Sequence, residues 1–183
     1  VNKIFRLGLS RKQLMERAVT LGADVPYCVM RGTALAEGIG EILTPLPPMP
    51  RCHILIGKPG ISVSTKFVYG NLKAPEIRRH PDVDGMAEAL KEGSLEGITS
   101  RMGNVLELVT IPAHPVIREI QEHMIRNGAE NALMSGSGPT VFGIFRNRET
   151  AEEAFRELKK SGLARQVFLT RPFENGGFRD GKR

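Results

Sequence analysis

The stretch that decides the fold is residues 131–171, NALMSGSGPTVFGIFRNRETAEEAFRELKKSGLARQVFLTR. Short apolar runs bounded by glycine, proline and polar residues read as strands over 131–135, 140–145 and 166–171. The segment 149–161 carries helical spacing and ends at Gly162, a residue suited to the left-handed turn that closes helices. Gly136-Ser137-Gly138-Pro139 turns the chain between the first two strands. The order is therefore strand, turn, strand, helix, strand. A further helix precedes it, opened by His114-Pro115, striped by Val116, Ile117, Ile120, Met124 and Ile125, and ended by Asn127-Gly128. Together these predict an α+β fold with a ferredoxin-like antiparallel sheet backed by helices.

Working outward, Ser10 with Gln13 three residues later forms a capping-box signature for a helix running towards Gly22, with Leu14, Met15, Ala18 and Leu21 on its apolar face. Pro26 biases Val25 towards extended geometry, which places Asp24 where a helix gives way to a loop. Residues 33–37 and 52–56 read as strands, separated by the Gly38-Ile39-Gly40 turn and the proline-rich connector 45–50. A short helix is expected after Ser64 or Thr65, either of which can cap it. From His80 to Val109 the spacing predicts two or three short helices, broken at Gly93 and near Gly103. The end of the chain, from Asn175, is polar and glycine-rich and reads as a loose tail.

Composition narrows the function classes. Of 183 residues, 40% are apolar, enough for a core, and no apolar run approaches the roughly 20 residues of a spanning helix. The net charge is +6, aromatics are 5% and tryptophan is absent. The basic pairs Arg11-Lys12, Arg78-Arg79 and Lys159-Lys160 lie far apart, which reads as solvated helix faces rather than a nucleic-acid stripe. Cys28 and Cys52 form no CxxC pattern and suit a reducing compartment. His53, His80, His114 and His123 show no ligand spacing, so no metal site is expected from side chains; His114 reads as a cap and His123 as a helix-surface residue. The start lacks an initiator methionine and a signal layout, and the chain reads as a piece of something longer.

Three segments could carry chemistry. A carboxylate at Asp24, fixed beside Pro26, could act as general base towards an alcohol or hold a metal near phosphates, although taken alone it reads first as a solvated turn residue. In the segment Ser135-Gly136-Ser137-Gly138-Pro139-Thr140, two glycines permit converging N–H groups that would hold an anion, alongside three hydroxyls; a plain tight hairpin is the alternative. Thr33 to Glu41 combines a small-residue strand with a glycine turn and reads as structural, its small side chains permitting close packing. Tyr69 reads as core or as a ring offered to a stacked base.

Leu21-Gly22-Ala23-Asp24-Val25-Pro26, Gly32-Thr33-Ala34-Leu35-Ala36-Glu37-Gly38-x-Gly40-Glu41 and Leu133-Met134-Ser135-Gly136-Ser137-Gly138-Pro139-Thr140-Val141-Phe142 occur in that order, with Lys58-Pro59-Gly60 and Val63-Ser64-Thr65 between them. In this the chain closely resembles the GHMP kinase superfamily of small-molecule kinases. Within it, the resemblance is to the branch that passes the ATP γ-phosphate to the 2-hydroxyl of a cytidine-diphosphate-linked methylerythritol in non-mevalonate isoprenoid precursor synthesis. The resemblance implies that Asp24 is the catalytic aspartate and that Ser135, Gly136, Ser137 and Gly138 face the ATP phosphates. It places Thr65 and Tyr69 at the cytosine pocket. ATP and Mg²⁺ are the implied cofactors, and a cytoplasmic monomer or weak homodimer the implied state, with no nucleic-acid or membrane partner.

It also implies a domain plan: residues 1–52 as a remnant of the N-terminal, ribosomal-S5-like domain, 53–173 as the C-terminal GHMP kinase domain, and 174–183 as a basic tail. The family's glycine-rich phosphate loop and the lysine that pairs with the aspartate have no counterpart here, and Val1 to Phe5 resembles the chain just after that loop's helix. The expectation is a truncated polypeptide, inactive alone, with open strand edges near residues 33–56 that favour association. Two rivals stand beside this reading. A ferredoxin-like RNA-binding module would need aromatics on the outer sheet face, whereas Phe142 and Phe145, three positions apart, point to opposite faces. A GHMP kinase for another alcohol is opposed by the Gly-Ala-Asp-Val-Pro and Thr-Ala-Leu-Ala-Glu-Gly segments.

Overall fold

Strands β3 (His53–Lys58), β4 (Asn131–Met134), β5 (Val141–Phe145) and β6 (Gln166–Thr170) pair antiparallel in the order β4-β5-β3-β6. Helices α7 (Val116–Arg126) and α8 (Arg148–Ser161) supply the connections between strands that the ferredoxin-like pattern requires. The alternation of β5 explains the layering. Val141, Gly143 and Phe145 face a core with Leu55, Ile117, Ile120, Met124, Met134 and Leu158, while Phe142 lies on the other face. Each large apolar side chain fully buried there contributes about 1.5–3 kcal/mol. Gly57 is needed for the close approach of the helices: a Cβ there would stand 3.0 Å from Leu158 Cδ2 and 3.2 Å from Ile120 Cγ2. On the opposite face Cys52, Leu95 and Ile144 form a second cluster, flanked by Phe142. Of the sheet's phenylalanines Phe145 is fully buried, Phe142 is partly buried beside the second cluster and Phe168 is exposed.

The computed structural model describes residues 2–78 and 80–173, and the chain divides into two units, the larger being Met49–Pro172. Besides the sheet and its two helices, the larger unit holds α3 (Thr65–Asn71), α4 (Val83–Glu92), α5 (Leu95–Arg101) and α6 (Glu107–Ala113). Ser64 caps α3 by accepting from Phe67 N–H, and Gly93 closes α4 in the left-handed conformation, as the sequence led us to expect. Among the described residues, no helix is long and apolar enough to cross a membrane.

The smaller unit, described over residues 2–48 with Phe173, holds α1 (Arg11–Ala18), α2 (Val25–Met30) and a hairpin of β1 (Thr33–Glu37) with β2 (Ile42–Leu46). The Ser10–Gln13 capping box is formed in both directions. The structure of this unit departs from the sequence expectations at three places. Helix α1 stops at Ala18 rather than near Gly22. Residues past Pro26 are not a loop: Pro26 sits in the first turn of α2, where its missing N–H costs nothing, and Asp24 is the N-cap residue. Residues 42–46 form a strand despite Pro45, which fits because β2 pairs on one side alone and its other edge needs no donor.

The division falls between Pro48 and Met49 rather than after residue 52, and Phe173 groups with the smaller unit. The physical reason at the first boundary is Cys52, buried against Leu95 and Ile144 with Met49 packed alongside. Open edges occur on the β1–β2 pair, but not on β3, which is paired on both sides. His123 is not a plain surface residue: its Nε2 is buried and, among the described residues, has no hydrogen-bond partner. The tail 174–183 and Val1 lie outside the described residues.

Candidate active-site elements

The glycine hairpin between β4 and β5 is closed by two backbone bonds: Ser135 N–H donates to the Thr140 carbonyl at 2.8 Å and Gly138 N–H to the Ser135 carbonyl at 3.0 Å. Gly136 and Gly138 have φ of +56° and +87°, conformations that side chains with a Cβ disfavour. At Gly138 space is closed as well, because a Cβ would lie 2.6 Å from Met134 Sδ. Among the described residues, the Gly136 and Ser137 N–H groups donate to no protein acceptor. Two successive free donors on an exposed turn are what an anion-holding nest presents.

The hairpin is anchored from the segment 104–110, which carries no motif in the sequence. Asn104 Nδ2 donates to the Met134 carbonyl at 2.9 Å and to the Gly136 carbonyl at 2.8 Å, while its Oδ1 accepts from Leu106 N–H at 3.0 Å. Glu107 Oε1 accepts from Met134 N–H at 2.8 Å and from Gln121 Nε2 at 2.6 Å. Thr110 Oγ1 donates to the Ser137 carbonyl at 3.3 Å. The outward-facing groups of Met134, at the edge of the sheet, are thus covered rather than left to pair with another strand. The break at Gly103 was the only local signal: a residue just beyond a helix break is free for a non-helical role.

Two of the residues expected at a site meet here. Thr65 Oγ1 and Ser137 Oγ lie 2.9 Å apart and share a hydrogen bond. Thr65 opens α3, and Tyr69, four residues on, lies on the same helix face. Tyr69 is 61% exposed, so it is not a core residue, whereas its neighbour Val68 is fully buried. A cleft of about 650 Å³ runs past the anchor, with His80, Asp82, Arg101, Met102, Asn104 and Leu108 in its wall. There the Gly85 N–H, and after it the Arg101 guanidinium, hold the Asp82 carboxyl below the usual carboxylate range. Burial pushes the Cys52 thiol up to about 11.

Asp24 belongs to the smaller unit. It is exposed, occupies the N-cap of α2 and makes no capping bond with its side chain. The glycine turn after β1 approaches it closely, since a Cβ on Gly40 would stand 3.2 Å from Asp24 Oδ1. This gives the Gly38-x-Gly40 segment its structural role. Gly38 is held beside Glu41, whose carboxylate accepts from Ile39 N–H at 2.7 Å. Tyr27 donates from its hydroxyl to the Gly32 carbonyl at 2.6 Å, tying α2 to the start of β1.

Residues 86–164 match the family of GHMP kinases C terminal. The chain is 55% identical over 175 residues to the 4-diphosphocytidyl-2-C-methyl-D-erythritol kinase of Lachnoclostridium phytofermentans, covering 96% of this chain and 60% of that protein. Over residues 86–164 the chain is a GHMP kinase C-terminal domain. It spans about 60% of the length of the curated relatives it matches. A crystal structure of 4-(cytidine 5'-diphospho)-2C-methyl-D-erythritol kinase superimposes with a TM-score of 0.73 at 30% identity, over 88% of this chain and 57% of that one. A homoserine kinase from Cytophaga hutchinsonii reaches the same TM-score, 0.73, at 19% identity over 93% of this chain and 59% of that one, a likeness of fold alone. The GHMP kinase C-terminal fold expected from the sequence is therefore present.

Proposed function

We propose that the protein to which this chain belongs transfers the γ-phosphoryl group of ATP to the 2-hydroxyl of 4-diphosphocytidyl-2-C-methyl-D-erythritol, a step in isoprenoid precursor synthesis. The observation that carries the reading is the 2.9 Å hydroxyl contact between Thr65 and Ser137. It joins the helix assigned to the cytosine end of the substrate to the hairpin assigned to the phosphates. The names of the relatives support the same substrate.

Phosphoryl transfer makes little covalent demand on a protein and depends on positioning and on charge stabilisation. In this scheme Asp24 accepts the proton of the substrate hydroxyl. The oxygen attacks the γ-phosphorus, the bond to the β-phosphate oxygen breaks, and ADP leaves. Gly136 and Ser137 N–H groups, unpartnered among the described residues, donate to phosphoryl oxygens where charge develops. The exposed ring of Tyr69 stacks on cytosine.

ATP fits the hairpin's donors. Among the described residues no group of three or more His, Cys, Asp or Glu could hold a metal; Mg²⁺ would be held chiefly by the nucleotide phosphates with one or two carboxylates. A cytoplasmic setting belongs to the same proposal and is supported by the two free thiols, Cys28 and Cys52. The unpaired outer edges of the β1–β2 pair support self-association of the isolated chain.

The test joins the chain to the N-terminal portion of the Lachnoclostridium phytofermentans relative and offers the chimera labelled ATP with the cytidine-linked alcohol, homoserine or mevalonate. Transfer to the 2-hydroxyl of the cytidine-linked alcohol, identified by phosphorus NMR, is expected, and the chain alone should be inactive. Preference for another alcohol, or transfer to none, overturns the reading.

A further inference from the structure

We propose that Asn104 is the positioning residue of the glycine hairpin, turning the Ser137 N–H outward as a fixed donor to a phosphoryl oxygen that Asn104 itself never touches. The inference rests on the kinase reading and deepens it. A trans peptide holds its C=O and N–H on opposite sides, so fixing one fixes the other. The Gly136 carbonyl is drawn to Asn104 at 2.8 Å, and the N–H of the same peptide belongs to Ser137. That N–H must therefore point away from the anchor, and it is one of the two hairpin donors left without a protein acceptor among the described residues.

The other amide hydrogen of Asn104 holds the Met134 carbonyl at 2.9 Å, while the Ser135 N–H of that peptide donates inward to Thr140 at 2.8 Å. One side chain thus sets two of the peptide planes around Gly136. This matters because Gly136, with φ +56° and nothing within 4 Å of a notional Cβ, has no packing of its own to choose its conformation. Asn104 is in turn held by its Oδ1, which accepts from Leu106 N–H at 3.0 Å and leaves the amide no freedom to rotate without losing a bond.

Asn104→Asp is the sharpest probe. It keeps the shape and the bond from Leu106 N–H, removes both donors, and faces a carboxylate towards two carbonyl oxygens. Asn104→Ala is the second variant, should the charge prevent folding. In the chimera, either substitution is expected to lower kcat at least about tenfold with the KM for the alcohol within about threefold, because misaligned donors cost the transition state more than the ground state. In the 183-residue chain, amide exchange at Ser135 and Gly138 should accelerate about tenfold while Ile144 in β5 keeps its protection.

Thr110→Val, which removes the hydroxyl on the Ser137 carbonyl, should show a smaller loss that Thr110→Ser restores. Unchanged exchange at Ser135 and Gly138 in both Asn104 variants overturns the anchoring. Accelerated exchange with unchanged kcat overturns the positioning role. An unsubstituted chimera that transfers no phosphate rejects the kinase reading instead, and the exchange result then decides the anchoring by itself.

Discussion

The glycine hairpin and the Asp24 segment are the two regions assigned to chemistry, and they are held in different ways. The hairpin has the carbonyls of Met134, Gly136 and Ser137 bound by Asn104 and Thr110, and Glu107 holds its approach strand through Met134 N–H. Behind it stands a core that includes Met134 and Phe145. Asp24 makes no capping bond, stands at the N-cap of a six-residue helix, and belongs to a unit whose sheet has two strands. Ile4, Phe5, Leu21 and Ile39 of that unit remain exposed. A donor array for phosphate needs fixed peptide planes, which take many anchors. A general base needs a single carboxylate at the right reach, and backbone placement can suffice for it.

The largest stability effect expected from this contrast is in the larger unit. Phe145→Ala, at a position with no exposure, should cost about 3–5 kcal/mol. Leu21→Ala in the smaller unit, at 81% exposure, should stay within about 0.5 kcal/mol. Urea unfolding of the two variants measures both, and similar losses would erase the distinction.

Next come the two hairpin glycines. Gly136→Ala meets open space, so its cost is the left-handed backbone alone, about 1–2 kcal/mol. Gly138→Ala adds a collision with Met134 and should cost clearly more. Equal losses would mean that the hairpin does not depend on its packing against Met134.

A smaller effect is expected at Ser10. Ser10→Ala removes the cap on Gln13 N–H and should cost about 1 kcal/mol, read as lost helicity in the smaller unit.

The two thiols extend the comparison to reactivity. At pH 8 a thiol reagent should modify exposed Cys28 and spare Cys52 until the chain unfolds. Burial raises the Cys52 thiol from 9.0 to about 11, so the unfolded chain ionises first as pH rises. The stabilisation from its neutral form is complete below pH 9.0 and is lost towards pH 11. Stability that rises over this window would contradict the burial of Cys52.

Much of the fold was legible because its signals are local. Gly162 and Gly93 end helices in the left-handed conformation, Ser10 with Gln13 and Ser64 start them, and the limits of β1 match the expected 33–37. Strand β2 was hidden because Pro45 argues against a strand unless one edge is known to be free. Pro26 was ambiguous, since proline both ends one helix and opens the next. The Thr65–Ser137 contact spans 72 positions and the Asn104–Gly136 bond 32. Such pairs leave no periodicity in sequence. The hairpin itself was readable from its glycines, but the residues that orient it were not.

The most direct measurement of the central claim is phosphoryl transfer by the chimera carrying Asp24→Asn, a nearly isosteric change at an exposed side chain. If Asp24 accepts the substrate proton, the rate should fall by about 10²–10⁴-fold with the fold unchanged by circular dichroism. A variant that transfers phosphate at the unsubstituted rate would contradict the account.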